Sequence, residues 1–438
     1  MSEGFWGNVE VTENNKKLRL AVVSKSNADG GGASKVAEDL AILLNTREKV
    51  VAHHWIGYRG SVWHPHMRSL FGGPWFSKLH KACRLVSRVV GLPDFLTPEI
   101  FNLWFRKKVD YDIYHFHDIS TTFSPLSMRW LAKRKPVVWT LHDCSPFTGG
   151  CLYPMECTAF HIRCEKCPQL GIWPLLSRWD MTSIMQSYKR TTARKGLFVP
   201  ISPSQWMADE AVKSGMFSQR PRTIPYSVDV DFYRPVERQT VRKDFGLDPL
   251  AFTVLVSAWH LTDRRKGTKY ALSALQSCDR PISVVVAGRY NGRMQEMFSG
   301  LDTHFAGFIK DPNLMARYYA AADVFLFPTL ADNLPNSVLE SMASGTPTIG
   351  FRTGGLPDMV EHAVSGWLAE PGEVDGLVEG LRTSFDRREV VRRWGNESRN
   401  RAEKIFSRQS FLESHLELYA EILDGKYPGL GHLTRFRD

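Results

Sequence analysis

The 438 residues are too many for one ordinary hydrophobic core and suit two domains of roughly 200 residues each. Hydrophobic residues make up 43% and charged residues 23%, which excludes a collagenous, low-complexity or disordered chain and fits a globular enzyme. The formal charge of +10 asks for an anionic partner: nucleic acid, an anionic membrane surface or phosphorylated substrates.

Nucleic acid is set aside, because no helix-turn-helix, paired-Cys and paired-His finger or RNA-recognition motif is visible. No repeat at periods of roughly 20–50 residues suggests a solenoid. Residues 1–17 are polar with no apolar signal core, and no run approaches the roughly 18 apolar residues that span a bilayer. With seven cysteines, the expected location is therefore the reducing cytoplasm, with peripheral contact at the inner membrane face kept open.

Short β-branched runs alternate with helical patterns throughout, which predicts parallel sheets covered on both faces. The first strand, 18–24, leads into Asn27-Ala28-Asp29-Gly30-Gly31-Gly32 and a helix over 33–44. Gly31 and Gly32 permit close backbone approach, and the helix start offers amides to a phosphate; a tight turn needing glycine is the plainer alternative. A strand follows at 50–56. Between Trp75 and Lys108, Lys78, Lys81, Arg84, Arg88, Arg106, Lys107 and Lys108 interleave with Phe101, Leu103, Trp104, Phe105 and a helical row of Leu79, Val86 and Val90. Such a stretch suits an anionic membrane surface or an ordinary domain helix with solvated lysines.

Strands are predicted at 113–116, 137–141 and 197–201, and helices at 124–134, 174–192 and 203–214. His142 stands at the carboxyl end of the strand 137–141, where it would face a cleft or satisfy loop carbonyls. The insertion 144–171 carries Cys151, Cys157, Cys164 and Cys167. Four thiols ending in Cys-x-x-Cys suit a tetrahedral structural zinc, with an Fe–S cluster, packed reduced thiols or two disulfides as alternatives. Pro and polar residues over 219–235 mark a domain junction.

The second half repeats the alternation, with strands at 252–257, 282–287, 324–327 and 348–351 and helices at 268–276, 313–322, 336–344 and 356–362. A helical pattern returns at 411–423. The predicted layout is residues 1–218, 219–410 and a C-terminal helical segment 411–438 that packs back on the first domain. Between the buried strand 324–327 and a helix lies Asp332-Asn333-Leu334-Pro335-Asn336-Ser337-Val338-Leu339-Glu340. Pro335 suits the first helical turn, so Asn336, Ser337 and Val338 would present amides at a positive helix end that neutralises a diphosphate without a metal. Glu340, a turn further on, can accept from two vicinal ribose hydroxyls, and Asp332 can reach a sugar ring.

This segment is similar to the Glu-x7-Glu motif of the family 4 glycosyltransferases, in its Asn-x-Pro-Asn variant. The resemblance extends to Ser344-Gly345-Thr346-Pro347, Thr353-Gly354-Gly355-Leu356-Pro357-Asp358, Ser365-Gly366-Trp367-Leu368, the Arg264-Arg265-Lys266-Gly267 turn and the triple-glycine loop. It implies the GT-B fold, two doubly wound Rossmann-like α/β domains facing across a cleft, and a retaining hexosyl transfer from a GDP- or UDP-linked sugar with no catalytic cofactor. It implies His142, Asp332 and Lys266 at the reacting centre. The implied donor contacts are Gly31, Gly32, Arg265, Lys266, Asn333, Leu334, Asn336, Ser337, Val338 and Glu340. Its Gly-Gly-Cys…Cys-x-x-Cys-Pro insertion occurs in a bacterial subset acting on surface-polysaccharide repeats, which implies a saccharide or lipid-linked acceptor.

Two positions depart from the family pattern: Asp332 stands for a glutamate, and Ala258-Trp259-His260 replaces the usual Gly-Arg pair, leaving Arg264 or Arg265 to assist Lys266. A non-hydrolysing sugar-nucleotide epimerase and a non-catalytic sugar-nucleotide scaffold are the competing readings.

Overall fold

The computed structural model describes residues 17–58, 60, 63–71, 74–92, 99, 111–120, 122–193 and 196–427. Phe101, Leu103, Trp104, Phe105, Arg106, Lys107 and Lys108 of the basic stretch lie outside the described residues, as do residues 1–16 and 428–438.

Two all-parallel sheets form the frame. The first contains β1 (Leu18–Ser26), β2 (Val50–Tyr58), β3 (Met67–Ser69), β4 (Ile113–Phe116), β5 (Val137–Thr140), β6 (Val199–Ser202) and β7 (Arg222–Thr223), in the order β3-β2-β1-β4-β5-β6-β7. The second contains β8 (Phe252–His260), β9 (Ile282–Arg289), β10 (Asp302–Gly307), β11 (Val324–Phe327), β12 (Thr348–Phe351) and β13 (Gly366–Ala369), in the order β10-β9-β8-β11-β12-β13. Strands β4, β5, β6, β11 and β12 are buried along their whole length, as near-continuous apolar runs require in a sheet covered on both faces. In each sheet the strand order reverses beside the first strand, between β1 and β4 and between β8 and β11. The carboxyl ends of those strands therefore open the crevices where such folds hold ligands.

The expected doubly wound α/β architecture is present, with differences at its margins. The short strands β3, β7, β10 and β13 lie toward the outer edges, where an alternating signal is briefest. β7 follows the expected boundary at 218 yet pairs with β6, so the first sheet runs on to Thr223. The helix expected from 174 begins only at Thr182, because Asp180 accepts from the amide and hydroxyl of Thr182 and caps it there. The helix expected over 356–362 ends at Met359, where His362 turns away to bridge Gly366. The short helices Arg238–Asp244 and Gly292–Met297 and the longer Val374–Asp386 and Arg388–Ile405 are additional to the predicted ones. The last is so rich in charge that its buried stripe shrinks to Val391, Trp394, Gly395, Ser398 and Ala402.

One apolar cluster runs through both halves and joins Leu20, Val22 and Leu40 to Phe325, Val338 and Leu339. The C-terminal helix Arg408–Leu423 adds Phe411, Leu418 and Tyr419 to it. That helix meets the first domain directly. The Tyr419 hydroxyl bonds His115 Nδ1 at 2.6 Å, and Arg222 of β7 pairs with Glu417 and Glu421.

Candidate functional site

The site assembles from loops at the carboxyl ends of β1, β8, β11 and β12. After β8, the Asp263 carboxylate accepts from the Arg265 amide at 3.0 Å and starts a short turn, Arg264–Lys266. Gly267 closes that turn at φ 69°, and a Cβ there would stand 1.8 Å from the Pro328 carbonyl, so only glycine lets the turn lie against the end of β11. Of the two arginines left to assist Lys266, Arg264 is exposed and Arg265 turns inward. Arg265 donates to Asp332 Oδ1 at 2.7 Å, while Lys266 Nζ and the Thr329 hydroxyl reach Oδ2 at 2.8 and 2.7 Å.

Both oxygens of Asp332 are therefore engaged. Burial works against the Asp332 charge, but Lys266 and Arg265 outweigh it and hold the carboxyl below its ordinary value. Burial also draws the Lys266 ammonium down, against the opposing pull of Asp332. The arrangement is a compact, partly desolvated pair of cations oriented by one fixed anion.

Gly354, at φ 57°, brings the next loop to the same point: a Cβ on it would stand 1.8 Å from the Asp332 carbonyl. Gly354→Ala is expected to lower the melting temperature by roughly 5 °C or more, read by thermal denaturation, because both the backbone conformation and the space are denied.

The second element is the helix Asn336–Ala343, whose N-terminal flank is Pro335 at φ −68° and ψ 123°. The Asn336 and Ser337 amides open the helix. The Val338 amide, expected to be available, is bonded to the Pro335 carbonyl at 3.0 Å, so the first turn is tightened and two amides remain for an anion. Gly32 of the triple-glycine loop faces this helix end so closely that a Cβ would lie 3.3 Å from Asn336 Nδ2; Gly31, at φ 110°, has open space before it. The glycine loop and the helix start thus confront each other across the cleft. Glu340 lies one turn on and accepts from Lys35 Nζ at 3.0 Å; burial, and after it the nearby Glu340 charge, raises the Tyr233 and Tyr319 phenols. Lys35, Tyr233, Asn336 and Glu340 line a cavity of about 210 Å³ shared by both halves.

Two residues expected to contact a donor are spent elsewhere. Leu334 packs in the core. Asn333 is a cross-domain tether: its amide donates to the Leu141 and His142 carbonyls at 3.1 and 2.9 Å, and its oxygen accepts from Ser204 at 2.5 Å.

His142 is buried, with both ring nitrogens engaged, Nδ1 by the Tyr226 hydroxyl and Nε2 by His117 Nδ1 at 2.9 Å. Burial pushes its pKa down to about 3, so it is a neutral imidazole in a fixed chain and not a free cleft-facing base.

The four insertion cysteines are free thiols that line one small cavity of about 20 Å³. Burial pushes Cys151 up to about 12 and Cys164 up to about 11. Among the described residues no group of three or more His, Cys, Asp or Glu has the arrangement of a metal-ligand set. The donor chemistry of four thiols suits zinc.

Sequence reasoning missed Lys35, Tyr226 and Tyr153. Lys35 stands in the first turn after the glycine loop, which is its one legible signal. Tyr153 belongs to the insertion, and its ring lies 4.9 Å from the Arg265 guanidinium.

Residues 30–232 match the family described as Glycosyltransferase Family 4, and residues 252–386 the one described as Glycosyl transferases group 1; together these span most of the chain. The chain belongs to the family 4 glycosyltransferases. This family 4 chain is 30% identical to sulfoquinovosyl transferase SQD2 of Arabidopsis thaliana over 36% of its own length and 32% of that protein's. It is 25% identical to the MMP alpha-(1->4)-mannosyltransferase of Mycolicibacterium hassiacum over 69% of its length and 75% of that protein's. It is 28% identical to a GDP-mannose-dependent alpha-(1-6)-phosphatidylinositol dimannoside mannosyltransferase of Mycobacterium tuberculosis, over 55% and 69%.

Among solved structures, Anabaena Alr3699/HepE in complex with UDP superposes with a TM-score of 0.68 at 17% identity, covering 92% of this chain and all of that one. WaaG, a glycosyltransferase involved in lipopolysaccharide biosynthesis, superposes at 0.62 and 16%, over 93% and 100%. The fold is GT-B.

Proposed function

We propose that the chain transfers a hexose, with retention of configuration, from a GDP- or UDP-linked sugar to a saccharide or lipid-linked acceptor in the assembly of a bacterial surface polysaccharide. The observation that carries this is the pairing of Arg265 and Lys266 with Asp332, four residues before the helix start at Asn336, which itself faces the glycine loop. Departure of a nucleoside diphosphate develops charge on a phosphate oxygen. Two cations and a helix start, fixed beforehand in a site of low dielectric, stabilise that charge without reorganising. In this reading Asp332 holds the cations in place, Glu340 anchors the ribose, and neutral His142 orients its neighbours beside the sugar. Tethers such as Asn333 to Ser204 keep the two halves closed over the reaction and exclude water. UDP in the HepE complex and the GDP-mannose dependence of the mycobacterial relative support a nucleotide-sugar donor.

Release of nucleoside diphosphate in the presence of membrane extract tests the proposal, over a panel of GDP- and UDP-sugars. Glu340→Ala is expected to raise the donor KM by roughly tenfold, the loss of charge-assisted hydrogen bonds to a ribose. A protein that binds donor but never releases diphosphate would favour the scaffold reading. A structural zinc at Cys151, Cys157, Cys164 and Cys167 rests on the donor set and their shared cavity. About one zinc per chain by elemental analysis is the expected result, and a fully active metal-free preparation overturns it.

A further inference from the structure

The helix Pro74–Val90 is packed the reverse of an ordinary amphipathic helix. Its polar side faces the domain: His80 stacks on Phe71 with ring centres 4.0 Å apart and bonds the Tyr58 hydroxyl at 2.8 Å, and Ser87 is buried. Its apolar side faces out, with Leu85 65% and Val89 63% exposed, and Val86 and Val90 exposed beside them. Lys78 and Lys81 are exposed as well, and the helix contains no Asp or Glu.

The end of this helix is seamed to the loop 172–181 that follows the cysteine-bearing insertion. The Ser177 hydroxyl donates to the Val89 carbonyl at 3.1 Å, and a Cβ on Gly91 would stand 2.7 Å from the Trp179 carbonyl. Across the seam this loop exposes its own large apolar groups, Trp179 at 68%, with Ile172, Trp173 and Leu176. Cations attend these too: Arg178 is exposed beside Trp179, and Lys25 Nζ lies 4.8 Å from the Trp173 ring centre. Asp180, the neighbouring acid, is engaged by the Cys167 and Thr182 amides.

An apolar surface of this kind on a folded chain marks a contact. We propose that the outer side of the helix Pro74–Val90 and the ridge formed by Trp173, Leu176 and Trp179 make one continuous face that docks on an anionic lipid bilayer. Aliphatic side chains and interfacial tryptophans with a cationic surround fit a bilayer surface of anionic headgroups, which attracts each nearby Lys or Arg. A second copy of the chain fits less well, because a symmetric contact would oppose Lys78, Lys81 and Arg178 to one another. The face is coupled to the clamp through the insertion that leads into this loop, since Tyr153 of the insertion packs on Arg265. That coupling, which rests on the glycosyl-transfer reading, would present a bilayer-borne acceptor to the side of the cleft where the donor's leaving group is held.

The test is co-sedimentation of the full-length protein with vesicles of phosphatidylcholine alone or mixed with phosphatidylglycerol, at low and high salt. The expected result is partition into the anionic vesicles that weakens with salt, and a roughly tenfold loss of partition in both Leu85→Glu/Val89→Glu and Trp173→Glu/Trp179→Glu. Both variants are expected to keep the wild-type melting temperature and diphosphate release with a water-soluble acceptor. No partition into anionic vesicles overturns the proposal. Partition that survives the tryptophan changes overturns the shared face, and a wild-type dimer dispersed by Leu85→Glu/Val89→Glu assigns it to a second copy. Because release is read without vesicles, failure of the transfer reading leaves the docking result intact, and the converse holds.

Discussion

Lys266→Ala is expected to slow cleavage of the sugar–phosphate bond by roughly 10²–10³-fold, the usual cost of removing one fixed donor from a site of developing negative charge. The ammonium lies 2.8 Å from Asp332 and is half-buried, so its field is only partly screened by water. In the variant Asp332 keeps Arg265 and Thr329, so the fold loses one of several partners and the carboxylate is not stranded. The effect should therefore fall on kcat more than on the melting temperature. Asp332→Ala is the converse: it leaves two half-buried cations without their anion, and both stability and activity are expected to fall. Lys266→Arg keeps the charge but replaces a compact ammonium by a planar fork, and its rescue should be partial. Steady-state release of nucleoside diphosphate with kcat and KM resolved measures all three. An unchanged kcat in Lys266→Ala would remove this residue from the leaving-group site.

The parts of this site that were legible in the sequence are those whose chemistry is local. The run Asp332 to Glu340 announces a helix start and a carboxylate one turn on, because Pro335 and the following amides act within a few residues of one another. The buried strands were equally plain: Val324–Phe327 and Thr348–Phe351 are continuous apolar runs, and their limits coincide with those expected. What stayed hidden depends on which surfaces meet. Asn333 reads as a donor ligand until the Leu141 and His142 carbonyls appear opposite it. Val338 reads as an open amide until the first turn tightens. The helix Pro74–Val90 shows its apolar row at the right period, yet periodicity cannot say which side turns inward, and here His80 and Ser87 do. Glu340 reads as an acid one turn into the helix, but nothing in the sequence points to its partner Lys35, which comes from the other domain, 305 residues away.

Acidification is expected to destabilise the chain steeply below about pH 6.5, through histidines buried in the neutral form. His142 is pushed down to about 3, and His54 and His415 to about 4, each by burial. Burial likewise holds His115 and His117 well below the ordinary range. In the unfolded chain these imidazoles bind protons from about pH 6.5 downward, while in the folded chain they do not. The unfolded state then holds more protons, so stability is fully present above the unfolded value and is lost as pH falls toward the folded ones. Each group contributes roughly 1 kcal/mol per pH unit in that window. Asp143, raised to about 6 by burial, acts in the opposite sense and offsets about one histidine, so the group of histidines prevails. Melting temperatures measured from about pH 7.5 to about 5 should fall progressively, and His117→Asn should flatten the slope. A flat profile would mean that these rings are already charged or solvated in the native protein. The same measurement bears on the reaction: a neutral His142 does not titrate in this range in the folded enzyme. Loss of kcat with an acidic limb near the ordinary histidine value, at temperatures where the fold persists, would instead mean that an imidazole titrates in the folded enzyme and that its neutral form is the active one.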